Sequence, residues 1–206
     1  MTKKKDIIHN MKTYGFHIIE NYWSADKCVE ALNELCNLPV VLFERGQGND
    51  SRCQFANKYC DTAMDFFKDE FIQEIANKYS KCNVADRVVG GIVDFNPRQK
   101  TDSGGGWHVD SKKKSQFKSF MYLSNVGPEN GPFVFIQKSK KLVGKFRKYK
   151  NLRISENSVN KKINPDDIIE ITGKAGTCVL ADSTFIHRGK QIQSGSRYTY
   201  TTYFEE

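Results

Sequence analysis

The fold turns on Phe117 to Gln137, FKSFMYLSNVGPENGPFVFIQ. Two runs rich in aromatic and branched side chains flank Gly127-Pro128-Glu129-Asn130-Gly131-Pro132, residues that end strands and shape turns. The stretch therefore predicts a strand, a turn and a second strand. Working outward, the same pattern returns in DRVVGGIVDF (86–95), DIIEIT (167–172), GTCVLAD (176–182) and RYTYTTYFE (197–205). Short strands at such close spacing argue for a sandwich or a double-sheet jelly roll. The first half reads differently. After a short strand-like GFHII (15–19), Ser24 offers an N-cap to apolar residues at Cys28, Val29, Leu32, Leu35 and Cys36 in helical spacing, with Pro39 soon after. A second helix is predicted from Ala63, Phe66, Phe67, Phe71, Ile75 and Tyr79. The expectation is a mainly β protein with flanking helices that cover one sheet.

The 206 residues suit a single domain, 1–206, with a helix-rich support and first strands over 1–96 and the β core over 97–206. Hydrophobic content of 38% and charged content of 27% fit a globular protein rather than a disordered or membrane one. No apolar run approaches the roughly 20 residues of a spanning helix. The basic beginning, MTKKKDIIHNMKTYG, lacks the apolar core of a secretory signal, so a cytoplasmic location is expected. The six cysteines, at 28, 36, 53, 60, 82 and 178, form no C-x-x-C pair. They read as reduced residues rather than a zinc site. The net charge is +8, and half of the residues from Lys138 to Arg153 are Lys or Arg. That segment is either a solvated loop or a positive collar for an anionic substrate.

Chemistry concentrates first in Gly104 to Asp110, GGGWHVD. Residues two apart on a strand share a face, so His108 and Asp110 converge. The pair is either a hydrogen-bonded couple on a sheet surface or two thirds of a metal site. His187 stands in the last β-rich stretch, with Arg197 ten residues later. Two imidazoles and a carboxylate on a β scaffold are the facial ligand set of non-haem Fe(II), which leaves coordination positions open.

These stretches carry a resemblance. YGFHIIENYWSADKCVEAL, GGWHVD, MYLSNVGPENGPFVFIQKSKK and GTCVLADSTFIHRGKQIQSGSRYTYTTYF are together similar to the phytanoyl-CoA dioxygenase-like family of Fe(II)/2-oxoglutarate-dependent oxygenases. The resemblance implies a double-stranded β-helix, or jelly-roll, core. It implies His108, Asp110 and His187 as iron ligands, and Fe(II), 2-oxoglutarate and O2 as the cofactors and cosubstrates. Arg197 would bind the distal carboxylate of 2-oxoglutarate, since a guanidinium fork matches a carboxylate and keeps its charge when buried. Thr199, two residues on, would either add a hydroxyl to that carboxylate or face solvent. Lys118, on the strand after the H-x-D motif, would either anchor 2-oxoglutarate or sit at the rim. The metal-site carboxylate Asp110 favours hydroxylation over halogenation, because halogenating relatives lack it.

One departure stands out: the family's P-G-S-H after the second strand is Gln137-Lys138-Ser139-Lys140 here. Trp107 either lines the pocket or packs in the core, and Gly104 to Gly106 read as a flexible lead into the strand. Asp182 and Ser183 either shape the turn before His187 or support that histidine. The expected substrate is small or carrier-linked and anionic: a sugar, a nucleotide-sugar or a phosphorylated metabolite. Lys140, Lys141 and Lys145 are expected at the mouth of the site. Two other readings stay open. A nucleic-acid oxygenase would use the positive charge, but no N-x-T-x-R pattern and no clear row of aromatics beside the basic run supports it. A binding module of the same fold would not consume 2-oxoglutarate.

Overall fold

The structure, a computed structural model, describes residues 4–45, 50–82, 85–98, 106–111, 115–146 and 152–204, and gives the backbone alone for 144–146. In chain order the elements are α1 (Lys4–Tyr14), β1 (Phe16–Ile19), α2 (Ala25–Cys36), β2 (Glu44–Arg45), β3 (Asp50–Cys53), α3 (Asp61–Phe67), α4 (Glu70–Ser80) and β4 (Ala85–Asp94). They continue as β5 (Phe117–Tyr122), β6 (Phe133–Ile136), α5 (Lys140–Phe146), α6 (Glu156–Lys162), β7 (Ile168–Ile171), β8 (Cys178–Asp182), β9 (His187–Gly189) and β10 (Ser196–Phe204). Seven strands form one sheet in the order β1-β8-β5-β10-β4-β3-β2, and β7-β6-β9 form a second. Neighbouring strands pair antiparallel throughout. The stretch from Phe117 to Gln137 thus leaves the large sheet on β5, turns, and enters the small sheet on β6.

Strand periodicity sorts the side chains into two layers. From β5 and β8, Phe117, Met121, Cys178 and Leu180 pack against Ile7, Met11, Leu35, Phe66 and Ile75 of the helices. The alternate residues Phe120, Val179 and Ala181 pack against Phe135 and Ile171 of the small sheet. Helices therefore cover one face of the large sheet and the small sheet covers the other, the jelly-roll arrangement expected from the sequence.

The helices differ in detail from expectation. Ser24 caps α2 as predicted, its Oγ accepting from Lys27 N at 3.2 Å. The predicted second helix is two, because Asp69 caps a fresh start: its carboxylate accepts from Ile72 N at 2.9 Å. The helix α1 was not anticipated. It buries Ile7 and Met11 while its lysines face out. Two further helices were not anticipated: α5 occupies part of the basic stretch that reads as a loop, and α6 follows that stretch.

Gly176 joins the layers. Its carbonyl accepts from Tyr22 N at 2.8 Å and Trp23 N at 3.2 Å. Its φ is +89°, and an added Cβ would lie 2.1 Å from the Trp23 carbonyl oxygen. Gly176→Ala is expected to cost about 2 kcal/mol or more, through backbone strain and the clash together. Urea unfolding of the purified variant checks it, and a loss under about 0.5 kcal/mol would contradict this packing.

Candidate metal centre

The three residues of the facial set meet at one point. His108 and His187 form an antiparallel bridge, each backbone N–H donating to the other's carbonyl at 2.9 Å. Asp110 is tied in by its own N–H, which donates to Ser183 O at 2.9 Å. Their candidate ligand atoms all lie within 4.8 Å of one another. Asp110 Oδ1 is 3.5 Å from His108 Nε2, and Oδ2 is 3.4 Å from His187 Nε2. Within GGGWHVD the His and Asp share a face and aim at a second imidazole, a group of three that could hold a metal ion. The cysteines take no part.

Both imidazoles are oriented in the same way. Nδ1 of His108 lies 2.8 Å from Gly106 O, and Nδ1 of His187 lies 2.9 Å from Phe185 O. A carbonyl only accepts, so each Nδ1 carries the proton and each Nε2 lone pair is left facing the carboxylate. That tautomer is the one a metal needs. Phe133 and Phe135 lie nearly parallel to the His187 ring, at centroid distances of 5.5 and 5.3 Å, and hold its plane.

Burial lowers the pKa of His108, against the opposing pull of the Asp110 carboxylate, which would accept from a protonated Nε2. At Asp110 burial would raise the pKa, but His187, Lys118 and His108 outweigh it and hold the carboxyl well below its usual range. Burial also lowers His17, despite the charge of Asp6. Below about pH 6.5 the unfolded chain takes up protons on these two histidines that the folded chain resists, so folding loses stability. Asp110 acts with the same sign, because its carboxyl is also held below the unfolded value, but its contribution is lost only at far more acid pH. The melting temperature of the metal-free protein is therefore expected to fall steadily between about pH 7 and 5. A flat profile would contradict a buried neutral His108.

The site opens into a cavity of about 220 Å³ whose floor is the inner face of the large sheet. The register places its side chains in rows. Asp50, Val93 and Arg197 stand side by side across β3, β4 and β10. Arg52, Gly91, Thr199 and Tyr122 form the next row. Gly91 leaves a trough there, since a Cβ would come within 2.9 Å of Thr199 Oγ1. Arg197 is only 6% exposed and lines the same cavity as the His-Asp-His group. A buried guanidinium beside a glycine trough and a threonine hydroxyl fits a small dicarboxylate. Two Nε2 atoms and one carboxylate fit a divalent metal.

Thr199 thus faces the cavity rather than solvent. Lys118 is neither at the rim nor at the surface: it is 6% exposed, and its Nζ donates to Asp110 Oδ2 at 2.7 Å. Trp107 packs with Val109, Val134, Ile154 and Ile186 in the core. Gly106 takes φ +83°, while Gly104 and Gly105 lie outside the described residues. The lysine collar is corrected. Lys140 and Lys141 line a separate surface depression with Lys12 and Lys138, and the Lys145 side chain lies outside the description. Of the segment's described residues only Arg153 lines the cavity. Sequence reasoning missed Asp50 and Arg52 on β3, where Arg52 Nε donates to Asp50 Oδ2 at 2.9 Å. The one available signal was the same-face spacing of an acid and an arginine in DSRC.

Comparison with solved structures finds the same fold. HygX from Streptomyces hygroscopicus, with nickel and 2-oxoglutarate bound, aligns at a TM-score of 0.72 and 14% identity over 98% of this chain and 87% of its own. SnoK, a non-haem α-ketoglutarate-dependent carbocyclase from nogalamycin biosynthesis, aligns at 0.75 and 15% over 97% and 83%. A prolyl-4-hydroxylase from Pseudomonas putida aligns at 0.66 and 10% over 99% of both chains. No curated protein matches the sequence. Among the described residues no helix is long and apolar enough to cross a membrane. Residues 11–198 match the phytanoyl-CoA dioxygenase (PhyH) family, so the chain belongs to that family and is, by membership, an Fe(II)- and 2-oxoglutarate-dependent oxygenase.

Proposed function

We propose that His108, Asp110 and His187 hold Fe(II), that Arg197 and Thr199 hold the distal carboxylate of 2-oxoglutarate, and that the protein hydroxylates a small anionic substrate. The observation that carries this reading is the pair of imidazoles fixed through Nδ1, with both Nε2 atoms turned on one carboxylate in the cavity that Arg197 lines. Bound there, Fe(II) and 2-oxoglutarate would activate O2, the oxidant: 2-oxoglutarate would give two electrons and leave as succinate and carbon dioxide, and the substrate would give the other two. The protein's part is placement. The bridge between His108 and His187 holds the two imidazoles side by side, ring centroids 4.4 Å apart, and Asp110 supplies the single negative charge facing them. Phe120, Phe133 and Val89 line the rest of the cavity with apolar surface, which keeps bulk water from competing for the reaction.

Charge supports an anionic substrate. Four cations line the cavity, Arg52, Lys118, Arg153 and Arg197, against the two carboxylates Asp50 and Asp110. The metal and the 2-oxoglutarate dianion cancel each other, so the loaded site retains a positive balance. HygX has been crystallised with hygromycin B and the epimerase SnoN with nogalamycin RO, so the fold accommodates small molecules of that kind in those proteins. For this chain the class inferred is a sugar, nucleotide-sugar or other metabolite that carries phosphate or carboxylate.

The test is anaerobic addition of Fe(II) and then 2-oxoglutarate to the metal-free protein. A weak visible charge-transfer band is expected in the wild type and not in His108→Ala. Succinate release is then followed across phosphorylated, carboxylated and neutral sugars. Turnover confined to the anionic members is expected, and Arg52→Gln should raise their KM about tenfold with little change in the KM for 2-oxoglutarate. Preference for neutral sugars would defeat the charge argument while leaving the cofactor assignment standing.

A further inference from the structure

The turn between β8 and β9 serves both halves of the metal centre, and what holds it is a carboxylate outside the cavity. Asp182 is completely buried, at 0% exposure. Its Oδ1 accepts from Gln116 N at 3.1 Å, Thr184 N at 3.0 Å and Thr184 Oγ1 at 2.7 Å. Its Oδ2 accepts from Tyr79 OH and Lys140 Nζ, each at 2.7 Å. Lys140 is the one cation among these five donors. Burying a carboxylate is costly without a counter-charge, and Lys140 is the counter-charge at 2.7 Å.

The turn so fixed then hands out its carbonyls. Ser183 O accepts from Asp110 N, and Phe185 O lies against His187 Nδ1, each at 2.9 Å. The segment that replaces the family's P-G-S-H docks on this turn twice. Ser139 Oγ accepts from Ile186 N at 2.8 Å, and Lys140 grips Asp182 from outside across the Phe185 ring. Lys140 itself keeps 37% side-chain exposure and does not line the cavity. A half-exposed lysine thereby connects to two of the three metal-site residues through one buried acid.

We propose that Lys140 is a positioning residue for the metal centre: its ion pair with Asp182 fixes the 183–186 turn, and through it the backbone of Asp110 and the ring of His187. The inference rests on the reading of His108, Asp110 and His187 as a metal site, so wild-type binding is measured first. If the wild type binds no divalent metal, that reading fails before Lys140 is tested.

The experiment measures the Kd for Co(II) by chelator competition, together with the Co(II) absorption spectrum, in wild type, Lys140→Met, Lys140→Arg and Lys141→Met. Lys140→Met is expected to raise the Kd at least tenfold and to alter the spectrum, because the imidazole and carboxylate lose their fixed angle. Lys140→Arg restores the charge and should return both to within about twofold. Lys141→Met, a neighbour without the pairing, should match wild type. A folded Lys140→Met with the wild-type Kd and spectrum overturns the proposal, as does a Lys141→Met that weakens binding equally. If Lys140→Met does not fold, Lys140→Gln, which keeps a donor without the charge, and Tyr79→Phe, which removes the other donor from the same oxygen, carry the test. Wild-type Co(II) behaviour in both would overturn it.

Discussion

Replacing Asp110 with alanine is expected to abolish 2-oxoglutarate turnover and to raise the Kd for a divalent metal by about three orders of magnitude. Asp110 is the single anion of the proposed ligand set, and both Nε2 atoms converge on its two oxygens. Removing it leaves two neutral imidazoles, which cannot offset the cost of stripping water from a doubly charged ion. The same substitution has a second consequence. Lys118 Nζ sits 2.7 Å from Asp110 Oδ2 and is buried, so Asp110→Ala leaves an unpaired ammonium in the cavity wall. Loss of one partner of a buried pair costs about 3 kcal/mol, and the metal-free variant should melt lower than wild type. The double variant Asp110→Ala/Lys118→Met removes both charges and is expected to recover most of that stability without recovering the metal. Isothermal titration with Mn(II) or Ni(II), beside thermal unfolding of the metal-free proteins, separates the two effects. Metal affinity within tenfold of wild type in either variant would remove Asp110 from the ligand set.

The residues of this centre were legible to different degrees, for physical reasons. His108 and Asp110 could be read because a period of two is a local rule and both are metal-binding types. His187 and Arg197 needed the surrounding β-rich pattern. The partners of these residues could not be read, because no local period links them: they come from other elements, brought together only by the fold. Lys118 on β5 meets Asp110, eight residues earlier, and Asp182 meets Tyr79, more than a hundred residues earlier, and Lys140. The row that sets Arg52 beside Gly91 and Thr199 exists only once β3, β4 and β10 are in register. Local signals were also overlooked. Asp69 reads as an N-cap in sequence, and it is what breaks the predicted helix into α3 and α4. The charge of 138–153 masked the apolar pair Leu142 and Val143, which packs against the core from α5. In this protein a basic run marks a surface, and only one described end of it reaches the cavity.

Arg197→Met is expected to raise the Kd for 2-oxoglutarate at least a hundredfold, with metal affinity held within about threefold. The guanidinium lies in the row with Asp50 and Val93, under the cavity and away from the imidazoles, so its loss should not disturb the ligand atoms. What is lost is a permanent, buried, forked donor for a carboxylate, an interaction worth about 3 kcal/mol or more when one partner is removed. Arg197→Lys keeps the charge and loses the fork, and should fall between, near tenfold. Thr199→Val, which removes a single hydroxyl from the neighbouring row, should cost about threefold to tenfold. Titration of 2-oxoglutarate into Mn(II)-loaded protein under nitrogen gives each value without turnover. Lys118→Met belongs in the same series, because a lysine bound to Asp110 predicts altered metal binding and an unchanged 2-oxoglutarate Kd. If Lys118→Met instead weakens 2-oxoglutarate and Arg197→Met does not, the cosubstrate lies along β5 rather than β10. The glycine trough beside Arg52 would then be free for the anionic end of the substrate.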